Sequence, residues 1–155
     1  MSVLRPFELH IPIQVMTYDI DFAQIVSNIV YIRWLEDMRV ALLNKHMPIK
    51  ALVAEGTGPA LIATHIEYKR PIHFFDEVVG KVWVADIGNT RWSIGSEFLV
   101  NGDITTTALQ HGVLVNFTTM RPLPVPDEFR AQFVTQQAAW MASQAAIPQA
   151  ASDQP

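Results

Sequence analysis

One segment of the sequence is patterned as a helix, whereas the segments on both sides of it are patterned as strands. Val30, Trp34 and Met38 recur at the spacing that places side chains on one face of a helix. The predicted helix covers residues 28–44 and would be roughly 25 Å long. Because it is apolar over much of its circumference, it must be covered by other elements of the fold, and a sheet is the candidate.

Strand-like segments precede and follow this helix. Residues 7–17 alternate apolar and polar side chains, although Pro12 restricts that strand to a sheet edge or a bulge. Residues 45–59 contain two glycines and two prolines, which predicts a surface connection. Asn101 and Gly102 form a strong hairpin signal between two of the later strands. The later segments, rich in β-branched and aromatic residues, are 60–70, 77–87, 91–100 and 104–119.

The order of these elements predicts the fold class. One strand, one long helix and four more strands joined largely as hairpins make an α+β fold with an antiparallel sheet. A chain of 155 residues, 50% of them hydrophobic, can close one core but is short for two. We therefore expect one domain over residues 1–131, followed at 132–155 by a weak helix and a disordered end. One helix cannot cover both faces of the sheet, so we expect a homodimer or homotetramer.

Composition excludes several classes of function. The formal net charge is −4 without a basic stripe, so nucleic acid is not an expected partner. The chain has no cysteine, which removes disulfides and thiolate chemistry, and its five histidines lack the paired spacing of a zinc helix. No signal peptide is evident, and no stretch approaches the roughly 18 to 20 apolar residues of a membrane span. The expectations are a cytoplasmic protein with no membrane partner and no metal.

Two carboxylates, Asp19 and Asp21, lie where the first strand ends and the helix is about to begin. Main-chain N–H groups at a helix start lack intrahelical partners and carry the positive end of the dipole. A carbonyl placed there would be polarised as in an oxyanion hole, where one donor contributes about 3 to 4 kcal/mol. An adjacent carboxylate could attack that carbonyl or activate a water. Alternatively both aspartates only cap structure, Gln24 is a surface residue, and Tyr31 and Trp34 are ordinary core residues.

The sequence resembles the hotdog-fold thioesterases of the 4-hydroxybenzoyl-CoA thioesterase type. Their signature runs Asp-x-Asp-x-x-Gly-hydrophobic-Val, followed on the helix by Tyr, an aromatic residue, Glu and Arg, and residues 19–43 are similar to it. Residues 66–84 are similar to the family's Tyr-x-x-Pro strand and the turn after it, and residues 120–129 to its closing Arg-Pro-x-Pro-x-Pro segment. The resemblance covers about residues 8 to 130. The matching positions of the first motif are Asp19, Asp21, Ile25, Val26, Tyr31, Trp34, Glu36 and Arg39.

Two positions depart from the family pattern. The signature glycine is Gln24 here, which resembles the plant acyl-ACP thioesterases and their Asp-x-Asn-Gln-His-Val-Asn-Asn stretch. The Asn and His of that stretch are Ala23 and Ile25 in this chain, so those polar groups have no counterpart. The expected Gly-Asp turn reads Phe-Asp at residues 75–76.

The resemblance implies a hotdog fold, in which a five- or six-stranded antiparallel sheet wraps a long helix. It also implies that two subunits pair their sheets edge to edge and bind acyl thioesters at the interface. The implied reaction is hydrolysis of an acyl-CoA to a free acid and CoA, which needs no cofactor and no metal. Asp21 takes the position of the catalytic nucleophile or general base, and the backbone N–H of Asn28 that of the oxyanion donor. Gln24 could orient the attacking water or narrow the acyl pocket.

Substrate contacts are less constrained by the sequence. Tyr31 and Trp34 are candidates for lining the acyl pocket. Arg70 and Arg91 could contact the phosphates of CoA, because a dianionic group needs fixed cations, or could be solvated surface residues. The alternatives are a non-catalytic acyl-thioester or lipid binder, an acyl-ACP thioesterase, and a hotdog dehydratase, which would need an active-site His that residues 18–45 lack. Whether the acyl group is aliphatic or aryl stays open.

Overall fold

A computed structural model gives the arrangement of residues 2–148, the part of the chain that the structure describes. The elements are β1 (Leu9–Ile13), a 3-10 turn (Thr17–Asp19), α1 (Asn28–His46), α2 (Ile49–Ala54), β2 (Thr57–Tyr68), β3 (Val78–Ile87), β4 (Arg91–Val100), β5 (Asp103–Asn116), β6 (Pro122–Leu123) and α3 (Asp127–Ala145). The six strands form one antiparallel sheet in the order β1-β3-β4-β5-β2, with the short β6 paired to β5. The predicted α+β hotdog fold is therefore confirmed, with six strands.

Helix α1 supplies the centre of the core, as its apolar pattern predicts. Its side chain Met38 is fully buried and lies over Gly80 of β3. A Cβ at that position would overlap the Met38 sulfur, so the glycine lets the helix approach the sheet closely. Burial of each large side chain stabilises the fold by about 1.5 to 3 kcal/mol. The buried residues of α1 are Val30, Tyr31, Trp34, Leu35, Met38 and Leu42.

Two local predictions about the sheet are confirmed. Pro12 lies in β1 and pairs with Val79 of β3. Because β1 is an edge strand, no strand on its open side requires the N–H that proline lacks. Asn101 and Gly102 join β4 to β5 with φ of 52° and 80°. Positive φ at both central residues is the requirement of the hairpin turn that Asn-Gly favours.

Two segments differ from the expectation. The predicted surface connection at residues 45–59 contains the six-residue helix α2 and the first residues of β2. Pro48 precedes α2, and Gly56 follows it with a φ of 70°. This proline and this glycine therefore mark the two ends of a short helix, whereas the sequence predicts that they lie in a loop. The C-terminal helix begins at Asp127, ahead of the domain boundary predicted at residue 131. Most of the end predicted to be disordered lies outside the described residues.

Helix α3 is anchored to the body of the protein near its middle. Its Phe133 is buried, and the side-chain carbonyl of Gln136 accepts a hydrogen bond of 2.7 Å from the backbone N–H of Phe7. Phe129 stacks on Phe7 with ring centroids 4.5 Å apart. These contacts join the C-terminal helix to the segment before β1.

Strand β2 forms the other edge of the sheet. Its inner side pairs with β5, and no strand among residues 2–148 pairs with its outer side. Leu61, Ile62 and Tyr68 are exposed along it. A long edge strand with apolar side chains is a template for pairing with another chain.

Candidate functional site

Asp21 lies in a tight turn that directly precedes α1. Ile20 and Val26 form an isolated antiparallel bridge, and within it the N–H of Asp21 donates to the carbonyl of Ile25 at 2.9 Å. The N–H of Gln24 donates back to the carbonyl of Asp21 at 3.0 Å, and Gln24 has a φ of 65°. The turn thus closes through a left-handed residue, a conformation that glycine adopts without steric cost. This explains why the signature has glycine at the position of Gln24.

The Asp21 carboxylate is half-buried and held at one oxygen. Its Oδ1 accepts a hydrogen bond of 2.8 Å from the backbone N–H of Ala23. No group within residues 2–148 donates to Oδ2, which leaves that oxygen available for a proton or a carbonyl carbon. The neighbouring side chain, Phe22, is 100% exposed at the tip of the turn. The turn therefore orients the carboxylate through Oδ1 and leaves Oδ2 accessible.

Asp19 has a different environment, because its carboxylate is used within the fold. It is 3% exposed, and its Oδ2 accepts a hydrogen bond of 2.9 Å from the N–H of Met16. Its Oδ1 lies 3.9 Å from a guanidinium nitrogen of Arg33, and its backbone carbonyl accepts the N–H of Ser27. Asp19 therefore has the structural role that was one of the two alternatives for the aspartates. It stabilises the 3-10 turn and the segment that leads into α1.

The N-terminus of α1 offers free main-chain donors. The helix begins at Asn28, and the side chain of the N-cap residue Ser27 makes no capping hydrogen bond. The N–H groups of Asn28 and Ile29 find no acceptor in the described part of the chain, and both residues are exposed. The Tyr68 hydroxyl donates to the carbonyl of Asn28 at 3.1 Å and so fixes the first turn of the helix to β2. Such donors suit a developing oxyanion.

The model of the thioesterase-like superfamily matches residues 15–133, which include the turn, α1 and all strands except β1. The chain belongs to the thioesterase-like superfamily. The resemblance to hotdog thioesterases is thereby confirmed, and membership makes the protein a thioester hydrolase by class. No curated protein matches the chain.

Solved structures of thioesterases share the architecture. A DHNA-CoA thioesterase from Staphylococcus aureus is 17% identical, with 91% of this chain and 97% of that chain covered at a TM-score of 0.78. A gentisyl-coenzyme A thioesterase is 21% identical, covering 81% and 98% at a TM-score of 0.71. A 1,4-dihydroxy-2-naphthoyl-CoA thioesterase from Synechocystis is 16% identical, covering 82% and 96% at 0.73. At these identities the likeness shows a common fold.

The two predicted acyl contacts, Tyr31 and Trp34, lie in the first two turns of α1. Tyr31 is 2% exposed and Trp34 is 6% exposed, and their ring centroids are 5.4 Å apart. Tyr31 also packs against Tyr68 and Phe98, and burial raises the pKa of its hydroxyl. Both rings pack in the core of the single chain, and their contact with an acyl group stays a prediction.

The two predicted phosphate contacts lie at opposite ends of the sheet. The N–H of Arg70 donates to the carbonyl of Thr105, near the start of β5, and its side chain is 3.6 Å from Asp103. Arg91 pairs with Val113, near the end of β5. Eight residues of strand separate the two positions by about 26 Å. Arg70 therefore lies at the end of the sheet that carries Tyr68 and the start of α1, whereas Arg91 does not.

The structure brings Asp21 and Gln24 together in one turn and places Asn28 at the helix start that follows. It adds Tyr68, whose hydroxyl bond to Asn28 was not predicted, although Tyr68 is the tyrosine of the Tyr-x-x-Pro motif. In the described range, residues 2–148, no group of three or more potential metal ligands is found. None of the helices in that range combines the length and apolar character needed to cross a membrane.

Proposed function

We propose that the protein hydrolyses an acyl-CoA to a free carboxylic acid and CoA, with Asp21 as the catalytic carboxylate. One observation carries the proposal: within residues 2–148, one Asp21 carboxylate oxygen has no donor, and the turn that holds it leads directly into a helix with two unpaired N–H groups. Membership of the thioesterase-like superfamily supports thioester hydrolysis. Neighbours named for gentisyl-CoA and DHNA-CoA support a CoA thioester, and they favour an aryl acyl group.

The proposed mechanism uses main-chain donors and one carboxylate. The N–H of Asn28 donates to the thioester oxygen, so that the negative charge formed during attack is stabilised at the positive end of α1. Asp21 either attacks the carbonyl carbon, giving an anhydride that water then hydrolyses, or takes a proton from the attacking water. Collapse of the tetrahedral intermediate breaks the C–S bond, and the CoA sulfur leaves and is protonated. Gln24, exposed in the same turn, orients the water or narrows the acyl pocket.

We further propose that two copies pair through the outer edges of β2 and bind the substrate at their junction. The free edge and the exposed apolar side chains of β2, Leu61 and Ile62 among them, support this arrangement. Tyr31 and Trp34 would then lie under the acyl group, and Arg70 near the CoA phosphates. Arg91 could reach the same phosphates only from the partner copy.

The test is release of free thiol from a panel of aliphatic and aryl acyl-CoAs. Asp21→Asn should lower the rate about a hundredfold or more, the usual effect of removing a general base or nucleophile. The matched control is Asp86→Asn, which removes an exposed carboxylate from β3 and should keep the wild-type rate. Equal background rates for wild type and Asp21→Asn across the whole panel would refute hydrolysis.

A non-catalytic acyl-thioester binder is the second candidate. It is favoured by the bond from Ala23 to Asp21 Oδ1, since an aspartate in a turn can be purely structural. This candidate predicts saturable acyl-CoA binding in calorimetry without thiol release. Including acyl-ACP substrates in the panel separates a carrier-protein thioesterase from both.

A further inference from the structure

Arg39, in the second half of α1, carries a guanidinium group with few protein partners. Its Nη1 donates to the side-chain oxygen of Gln110 at 3.0 Å, and Gln110 is 1% exposed. The Gln110 amide donates in turn to the Thr64 hydroxyl at 3.1 Å. Among residues 2–148 no carboxylate oxygen lies within 4.0 Å of Arg39, so its guanidinium forms no direct ion pair there. The network therefore positions the guanidinium but leaves most of its five N–H donors unused.

The side chain of Arg39 is also half-buried. Burial lowers the pKa of Arg39, although the negative charge of Glu36, one helical turn away, acts in the opposite direction. Glu36 is exposed and lies too far away for a direct ion pair. A partly desolvated charge without a close counter-ion is destabilising, and an anion that binds it offsets part of that cost.

Arg39 lines an apolar groove between α1, α2 and the start of β2. The groove has a volume of about 200 Å³, and Arg39 is the only charged residue among those that line it. Its walls are mostly apolar side chains, including Leu43 of α1, Leu52 of α2 and Phe117 after β5. A smaller cavity of about 40 Å³ adjoins the groove at Arg39 and Leu43, and the Nε1 of the buried Trp92 that lines it has no hydrogen-bond partner among residues 2–148.

We infer that this groove binds an apolar monocarboxylate, with the carboxylate on Arg39 and the hydrocarbon part against α1 and α2. Charge complementarity selects this ligand, because a planar guanidinium presents parallel donors that match a carboxylate. The volume also fits, since an apolar cavity of ~150 Å³ holds a benzene ring. Arg39 lies eleven residues beyond Asn28, or about 16 Å along α1, so the groove is separate from the Asp21 turn.

The ligand has the chemical class of the acid that the proposed hydrolysis would release, but its binding requires no hydrolysis. The experiment titrates the full-length protein with benzoate by calorimetry and compares benzamide, which has the same shape without the charge. Benzoate should bind saturably and about tenfold to a hundredfold more tightly than benzamide, the range expected for hydrogen bonds to a charged group. No saturable benzoate binding, or equal affinities for the two probes, would overturn the inference without any variant.

Variants locate the site. Arg39→Met should remove the preference for benzoate, whereas Arg33→Met, which removes a charge elsewhere on α1, should retain it. Asp21→Asn should also retain it, so failure of the proposed hydrolysis and failure of this inference are distinguishable. A benzoate preference that survives Arg39→Met in a folded protein places the anion elsewhere and overturns the inference. If wild type does not bind benzoate and Arg39→Met changes the sedimentation coefficient, the groove is an interface between copies instead.

Discussion

Gln24 occupies a backbone conformation that disfavours its own side chain, and replacing it with glycine should stabilise the protein. At a φ of 65° a residue with a Cβ pays about 1 to 2 kcal/mol of steric cost. Glycine avoids that cost but loses about 0.5 to 1 kcal/mol more conformational entropy on folding. The Gln24 side chain is exposed and forms no hydrogen bond with the described residues, so its removal costs little. The expected net stabilisation is about 0.5 to 1 kcal/mol.

Urea and thermal unfolding of wild type, Gln24→Gly and Gln24→Ala measure this effect. For a chain of this size the stabilisation corresponds to a rise in Tm of about 1 to 4 °C. Gln24→Ala removes the same side-chain amide but keeps the Cβ, so it should remain close to wild type. If Gln24→Gly is no more stable than Gln24→Ala, the steric argument is wrong. Thiol release by the same two variants tests the role of the amide: a catalytic Gln24 predicts that both lose activity equally.

Three further changes test the core, a half-buried histidine and the sheet edge. Gly80→Ala should destabilise the fold by about 1 to 3 kcal/mol in urea unfolding, because the new Cβ overlaps Met38. Burial, with the nearby Lys45, lowers the pKa of His46 below the unfolded value of about 6.5. The free energy of unfolding should therefore be highest above that value and fall as the pH drops through it, and His46→Phe should flatten this slope between pH 7 and 5. Ile62→Arg places a charge on the outer edge of β2 and should convert a dimer to monomer in sedimentation velocity; an unchanged coefficient would exclude this edge as the interface.

Elements whose signal is local could be predicted from the sequence. The start of α1 at Asn28 and the Asn101–Gly102 hairpin follow from helical spacing and from turn chemistry within a few residues. Helix α2 was missed because six residues are less than two helical turns, too short for a periodic pattern to be distinguished from a loop.

The candidate site was predictable in part. The segment with Asp19 and Asp21 was found from its position before the helix, but the different uses of the two carboxylates were not. That difference depends on the Ile20–Val26 bridge and on the bond to Met16, which are set by how the chain folds back. Contacts between distant residues leave even less signal, and the Arg39–Gln110 bond joins positions 71 residues apart.

In the proposed function the Asp21 carboxylate performs the chemistry and does not merely bind the substrate. The most direct measurement takes one acyl-CoA that wild type hydrolyses and determines both kcat and the dissociation constant for wild type and Asp21→Asn. We expect the kcat of Asp21→Asn to be lower by a factor of about 100 or more, with a dissociation constant within a few-fold of wild type. An Asp21→Asn variant that turns over at the wild-type rate would contradict it.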